Sequence, residues 1–349
     1  MPGTNATDWQ IPQLWVPFSV TFNEETLAMT DSIQAWVMTT GLYRSAERAA
    51  LSALAGASGT AYTMPAATGD CAMTLARYMS WGFHADDIYD AGGESDEKLV
   101  GMIRHTTQLI DILENPELGK ADDDGYFRAW ADIARGLHRL LSPRGFSQMS
   151  NAIRVTKFGW LQQASLARQG ALPTFAGFMP YRYASGAGNI VACMIVLSLR
   201  NRVPDSVFEL DRCRQLSELA IILSLLDNEL LSRNKEVAGG EWDTGLIHVL
   251  VNEFPQLSVH DATDTAIALR DRLMTAFVTL RERLLEDEMP GERTYVDALT
   301  HYIAGVVKWT STSVRYTLGR TPALRARPDH AVWEPPLPPW FSRWECLAS

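Results

Sequence analysis

The segment Leu219-Ala220-Ile221-Ile222-Leu223-Ser224-Leu225-Leu226-Asp227-Asn228-Glu229-Leu230-Leu231-Ser232-Arg233-Asn234-Lys235-Glu236 begins apolar on nearly every side and then turns polar. A stretch without a polar face belongs in the middle of a helical protein, where each side meets another element. Its polar half is ordered too. Asn228, Ser232 and Glu236 recur at i, i+4 and i+8, so a helix stacks an amide oxygen, a hydroxyl and a carboxylate on one face. Such a mixed set of hard oxygen donors suits one Mg²⁺.

A second wall of the same kind lies upstream in Asp86-Asp87-Ile88-Tyr89-Asp90, where Asp86 and Asp90 are four residues apart. Leu75, Tyr78, Met79, Gly82 and Phe83 lead into it with the spacing of a core-facing stripe. The carboxylates continue that inward face. An inward carboxylate without a partner is costly, so the pair requires a cation or a strong hydrogen-bond network. Each cluster alone is also what a solvated helix end looks like. Together they point to Mg²⁺ shared between protein oxygens and a diphosphate.

Basic residues supply the other half of a diphosphate site: Arg182 in Met179-Pro180-Tyr181-Arg182-Tyr183, Lys235 beside Glu236, and Arg315-Tyr316 at the end of the last long helical segment. An arginine fork grips phosphate oxygens in pairs, a lysine offers a point charge, and a tyrosine hydroxyl a neutral donor. Taken singly, each is an ordinary surface residue.

The rest of the chain sets bounds on this reading. With 349 residues, 46% of them hydrophobic, there is material for a large core in one oversized domain or two ordinary ones. No internal repeat or composition shift divides the chain, and the two polar clusters must converge, so a single helical domain is expected. A net charge of -10 argues against nucleic acid or an anionic membrane as partner. The longest apolar runs, Ile190 to Leu199 and Leu219 to Leu226, are too short to span a bilayer. Cys71, Cys193, Cys213 and Cys346 show no metal-ligand or disulfide spacing, which predicts core packing for each in a reducing cytoplasm. The start, Met1 to Asp8, has no secretion signal pattern.

Alternating β-branched runs are scarce and helical periodicity is common, so the fold class is all-α. Helices are expected around Glu24 to Thr39, Ser45 to Ala55, Gly69 to Ala91, Glu97 to Glu114, Phe127 to Leu141, Phe146 to Arg168, Ala187 to Leu199, Ser206 to Asn234, Gly245 to Glu253, Val259 to Leu285 and Tyr295 to Leu318. Residues 1–25 form an extended lead-in packing on the bundle, 26–319 the helical domain, and 320–349 a tail whose prolines and tryptophans predict no regular helix. Either end could cover a cavity mouth or lie loose.

At this point the chain resembles the class I terpene synthases of microbial type, over most of its length. Asp86, Asp87 and Asp90 match that family's aspartate-rich DDxxD motif, and Asn228, Ser232, Lys235 and Glu236 its NxxxSxxxKE triad. Arg182 stands 46 positions before Asn228, where the family carries a diphosphate-sensing arginine, and Arg315-Tyr316, preceded by Trp309, matches its C-terminal RY pair. Ile11-Pro12 through Pro17-Phe18 and Asn23 resembles the family's N-terminal lead-in. Two departures stand out. Residues 237–244 lack the asparagine pair that relatives often carry after the triad, and position 229 is Glu where Asp is common.

The resemblance implies an α-bundle with a central active-site cavity and three Mg²⁺ ions. Asp86 and Asp90 would hold two of them, and Asn228, Ser232 and Glu236 the third. Arg182, Lys235, Arg315 and Tyr316 would bind the diphosphate of a linear prenyl substrate, whose ionisation leaves a carbocation to be folded and cyclised to a terpene hydrocarbon or alcohol. It further implies that Gly186 presents a backbone carbonyl to the cation and that Ser185 links it to Arg182. Phe83, Phe158, Tyr302 and Trp309 are candidate aromatic walls, Trp309 by family position, while Phe158 reads better as core packing. Many farnesyl-cyclising relatives carry bulky aromatics where this chain has Gly82 and Ala85, which tilts the expectation toward geranylgeranyl over farnesyl diphosphate. Stable membrane insertion is not expected, and a homodimer is compatible with the reading. The alternatives are a prenyl-chain-elongating synthase, which needs a second aspartate-rich motif where Asn228, Ser232 and Glu236 stand, and a non-catalytic helical binding protein.

Overall fold

The computed structural model describes residues 10–90, 95–119, 124–204, 206–239, 244–286, 291–317, 324–327 and 332–348, with side chains at a few of these, Asp90 and Glu236 among them, outside the description. The chain is a helical bundle with one pair of two-residue strands. In order it runs β1 (Ile11–Pro12), α1 (Glu24–Leu27), α2 (Thr30–Thr40), α3 (Ala46–Thr63), α4 (Gly69–Asp90), α5 (Asp96–Glu114), α6 (Gly125–Leu140), α7 (Pro143–Gln169) and α8 (Phe175–Ser185). It continues through α9 (Gly188–Ser198), α10 (Asp211–Gly239), α11 (Leu246–Glu253), α12 (Val259–Glu286), α13 (Glu292–Thr312), α14 (Val314–Thr317), β2 (Leu324–Arg325) and α15 (Pro339–Ala348).

Local chemistry sets many of the helix boundaries. Asn23, Ser45, Ser95, Asp124, Ser142 and Thr174 each cap the following helix by accepting a backbone N–H two or three residues on. Gly41 and Gly170, in left-handed conformation, close α2 and α7. The apolar-to-polar segment that begins at Leu219 is the interior of α10, and Leu219, Ala220, Ile221, Leu223 and Leu226 are at most 1% exposed.

Two hydrophobic cores fill the bundle. One surrounds α10 with residues from α8, α11, α12, α13 and α15; the other joins α2, α3, α4, α5, α6 and α7 with part of α9. Close helix approaches rely on glycine. A side chain at Gly305 of α13 would meet the Tyr62 carbonyl of α3 at 2.0 Å, and one at Gly159 of α7 would meet the Ser185 backbone of α8 at 2.4 Å. Among the described residues no helix is long and apolar enough to cross a membrane.

Several boundaries differ from the sequence reading. The helix expected over Glu24 to Thr39 is two, α1 and α2, broken at Ala28 and Met29, and α3 continues past Ala55 to Thr63. No helix was expected where α8 lies. Pro180 reads as a breaker, yet it sits on the exposed side of α8, where the helix tolerates the lost hydrogen bond. The last long helix ends at Thr312, because Ser313 is extended (φ -70°, ψ 134°), and α14 starts anew. The tail contains α15, against expectation: Pro338 and Pro339 stand before and at its first position, where a missing N–H costs nothing. Phe341 and Trp344 then bury 0% and 2% exposed against the first core. Cys71, Cys193 and Cys213 are buried as expected, but Cys346 is exposed on α15.

The two ends of the chain meet. β1 pairs in parallel with β2, Ile11 opposite Leu324, and Ile11 is 1% exposed. The lead-in is also tied to the centre, since Arg270 of α12 donates to the Trp15 carbonyl and forms an ion pair with Asp227 of α10 at 2.6 Å, with both charged side chains fully buried. Removing one member leaves the other charged and unsolvated. Asp227→Ala should therefore lower unfolding free energy by about 3–5 kcal/mol, measured by urea denaturation without added metal; a loss below about 1 kcal/mol would show that the pair is solvated.

Candidate active site

An inner cavity of about 260 Å³ opens where the two cores meet, lined by Tyr78, Trp81, Ile190 and Met194 from one core and Leu225 and Tyr302 from the other. The apolar stripe foreseen on α4 faces it: Tyr78, Met79, Gly82 and Phe83 lead along the wall to Asp86. Arg182, Ser185 and Gly186 from α8, Asn228 from α10, Tyr302 and Trp309 from α13, and Tyr316 from α14 complete it. A wider vestibule of about 970 Å³ lies outside, lined by Asp87, Lys235 and Arg315 among others. Phe83 and Trp309 border both spaces and stack on each other at 5.3 Å and 17°. They form a partition between mouth and interior.

Charge gathers at that partition. Arg315 donates to Asp86 Oδ2 at 3.1 Å and to Asp87 Oδ1 at 2.9 Å, and its guanidinium lies 4.7 Å over the Phe83 ring. Lys235 Nζ is 3.8 Å from Asp86 and 3.4 Å from Asp87, so the α10 wall reaches the α4 wall. Burial would raise the Asp87 carboxyl, but the hydrogen bond and charge of Arg315, with Lys235, outweigh it and hold the group below the usual carboxylate range. Arg315 Nε is buried with no hydrogen-bond partner, a donor in reserve beside two carboxylates.

On the opposite side Arg182 donates to Asn228 Oδ1 at 2.8 Å and is ion-paired through Nε with Glu229. The second oxygen of Glu229 accepts the Leu246 N–H at 2.9 Å. The glutamate that departs from the common Asp thus links α8, α10 and α11, and fixes the arginine next to the amide. Ser232 is 2% exposed on the same helix. Asp90 and Glu236 continue α4 and α10, but their side chains lie outside the described residues, as do residues 240–243 of the loop that departs from relatives. Within the description no three His, Cys, Asp or Glu residues cluster. The donors at hand are hard oxygens of Asp86, Asp87, Asn228 and Ser232, and Asp86 and Asp87 keep 44% and 45% of their side chains exposed toward the mouth, which fits a partly hydrated Mg²⁺.

The end of α8 is aimed at the cavity. Gly186 closes that helix, its N–H bonding the Arg182 carbonyl at 2.8 Å, and Ala187 turns left-handed (φ 61°) to begin α9. The Ser185 carbonyl accepts the Trp160 indole N–H at 2.7 Å. Trp309 Nε1 donates to Ser58, and the Tyr302 hydroxyl pairs with Ser224, so the polar tips of both wall aromatics are satisfied.

Two residues named in advance fall elsewhere. Ala85 is fully buried in the second core and does not line the cavity, because it stands about 100° around the helix from Asp86. Phe158 is 72% exposed on α7, neither wall nor core. Conversely, Trp81, Lys157 and Trp160 line the cavity without having been singled out. The Lys157 amine is the unusual one: desolvation drives it well below the ordinary lysine range, against the pull of Asp86. Its signal in the sequence was faint, since it is one cation on α7 beside Arg144, Arg154 and Arg168, with no motif around it.

Residues 77–276 match the family model described as terpene synthase family 2, C-terminal metal binding. Spiroviolene synthase of Streptomyces violens is 28% identical over 258 residues, covering 74% of this chain and 71% of that protein. Diterpene cyclase DtcycB of a Streptomyces species is 26% identical over 306 residues, covering 87% of this chain and 88% of its own. Among solved structures, the SVS_A2 protein from ancestral sequence reconstruction superimposes with a TM-score of 0.78 at 21% identity, covering 97% of this chain and 99% of that one.

Glycines on the two walls have opposite tolerance. A Cβ at Gly186 would meet Leu225 at 2.3 Å and Arg182 Nη1 at 2.8 Å, whereas one at Gly82 has nothing nearer than Tyr78 at 4.0 Å. Gly186→Ala should cost about 1–3 kcal/mol in urea denaturation and displace the Arg182 guanidinium in a crystal structure. Gly82→Ala should be near neutral; equal losses for both would contradict this geometry.

Proposed function

The chain belongs to the terpene synthase family, and from that premise we propose that it binds a linear prenyl diphosphate with Mg²⁺, ionises the allylic C–O bond, cyclises the carbocation and releases diphosphate. The enzyme class is that of the family, a lyase acting on a prenyl diphosphate. One observation carries the reading: Asp86, Asn228 and Arg182 line one cavity together with a largely aromatic and aliphatic wall.

Asp86 with Asp90, and Asn228, Ser232 and Glu236, would hold Mg²⁺, three ions in all by the family resemblance. When bound, the metal stabilises the negative charge that develops on the leaving diphosphate. Arg315, Lys235 and Arg182 add fixed positive charge, and Tyr316 a hydroxyl, at the same end. In the free protein the Arg315 and Lys235 cations neutralise Asp86 and Asp87. They are placed to turn toward phosphate oxygens once the carboxylates hold metal.

The interior has the complementary task. Phe83, Tyr302 and Trp309 offer aromatic faces to a cation, and the C-terminal end of α8, at Ser185 and Gly186, presents the negative end of a helix dipole. Apolar walls keep bulk water from the cation until it is quenched. Gly82 lengthens the cavity one turn below Asp86 and supports geranylgeranyl diphosphate as substrate, while Ala85 lends nothing to that choice, so farnesyl diphosphate stays the second candidate.

Purified protein incubated with geranyl, farnesyl and geranylgeranyl diphosphates and Mg²⁺ should yield a cyclic hydrocarbon or alcohol with one of the longer two, read by gas chromatography of a hexane extract. No product from any of them would sink the proposal. Asp86→Ala and Asn228→Ala should each abolish turnover with unchanged helicity by circular dichroism, and chelation of Mg²⁺ should do the same reversibly. Activity retained by either variant would overturn the metal assignment.

A further inference from the structure

Lys157 lines the inner cavity, 2% exposed, with its Nζ making no hydrogen bond. Three aromatic rings surround it: Nζ is 3.6 Å from the centre of the Trp160 ring, 4.9 Å from Tyr89 and 5.1 Å from Trp81. No ion pair to it occurs among the described residues. Taking an ammonium out of water costs several kcal/mol, and desolvated cation–π contacts return about 2 kcal/mol or more. The balance favours the uncharged amine, the direction in which burial shifts this group. The other ionisable groups near it are Tyr78, Asp86 and Tyr89 on α4, Tyr126 on α6 and Arg182 on α8, with Tyr302 and Tyr316 across the cavity. Burial raises Tyr78, Tyr89, Tyr126 and Tyr302, so these phenols stay protonated. Arg182 cannot serve as a base, being already committed to Glu229 and Asn228.

Building on the cyclase reading above, we propose that Lys157 is the catalytic base that ends the reaction, accepting the proton the last carbocation loses. The C–H bond next to the cationic carbon breaks, its electron pair becomes the second bond of an alkene, and the proton passes to Nζ to give an ammonium. The aromatic cage then acquires its use. Trp160, Tyr89 and Trp81 hold the new cation by their faces, and the ammonium returns its proton to the released diphosphate or to water when the cavity opens. Asp86, the carboxylate that also lines the cavity, is already answered by Arg315 and Lys235.

Lys157→Met keeps the length and removes the amine, and an apolar side chain in this pocket should not weaken the fold. With the accepted prenyl diphosphate and Mg²⁺, the diphosphate that the variant releases serves to normalise its product yield. The principal wild-type alkene should fall at least about tenfold as a share of product, with other olefins or alcohols rising. Lys157→Arg, permanently charged, should not restore that share. In wild type the share should drop as pH is lowered through protonation of the amine, and in Lys157→Met it should not vary with pH. The amine resonance in lysine-labelled protein, assigned by its loss in Lys157→Met, should have a neutral-amine chemical shift at pH 7.5. An unchanged product spectrum in Lys157→Met, or an ammonium shift, overturns the role of Lys157 alone. Wild-type protein that converts no prenyl diphosphate overturns the cyclase reading, and the base with it.

Discussion

A charge can be kept beside a dry cavity only if another charge or a dipole answers it, and this requirement organises the whole bundle. α10 illustrates it. Its first half supplies apolar surface to every neighbour, and its second half must then satisfy Asp227, Asn228, Glu229 and Ser232 in the same crowded setting. Asp227 turns away from the cavity to Arg270, Glu229 binds Arg182 and the Leu246 N–H, and Asn228 alone of these lines the cavity. Neighbouring residues on one helix thus do three jobs, set by the direction each faces. In a protein of net charge -10, Lys235 and Arg315 answer Asp86 and Asp87 at the mouth, and Arg182 answers Glu229 across the cavity.

Much of this was legible in the residues, since helical spacing is a local property. The i, i+4 rhythm put Asp86 at the end of the Tyr78, Met79, Gly82 and Phe83 stripe, and the same logic put Asn228 and Ser232 on a helix continuing from the apolar run. What spacing cannot supply is which face of a helix meets which neighbour. Ala85 and Phe158 were misjudged for that reason: each sits beside a cavity residue in sequence and points about 100° away from it. Lys157 and Trp160 escaped notice because their meaning depends on α7 pressing against α8 at Gly159, a contact between segments far apart in sequence.

Breaks in regular structure were harder to foresee than the helices themselves. Pro180 suggests an interruption, yet α8 runs through it, and the true interruption comes at Gly186 and Ala187, where the chain reverses sign of φ to start α9. That placement matters chemically. An unbroken helix from Phe175 to Ser198 would close its carbonyls on themselves, whereas the break leaves the end of α8 at the cavity wall. Ser313 has a similar effect at the mouth, since it turns α14 so that Arg315 lies across Phe83 and reaches both aspartates.

The C-terminal helix was expected to be either a cover or a loose end, and it is neither. Trp340 bonds the Phe175 carbonyl at the start of α8, while Phe341 and Trp344 seat in the core around α10 and α12. α15 therefore stands behind the wall that carries Arg182 and Gly186, on the side away from the cavity. It acts as a splint. Sequence drift in such a brace leaves the cavity lining untouched while altering how stiffly α8 holds its end at the cavity wall, so a lineage could retune the site through residues that do not line it.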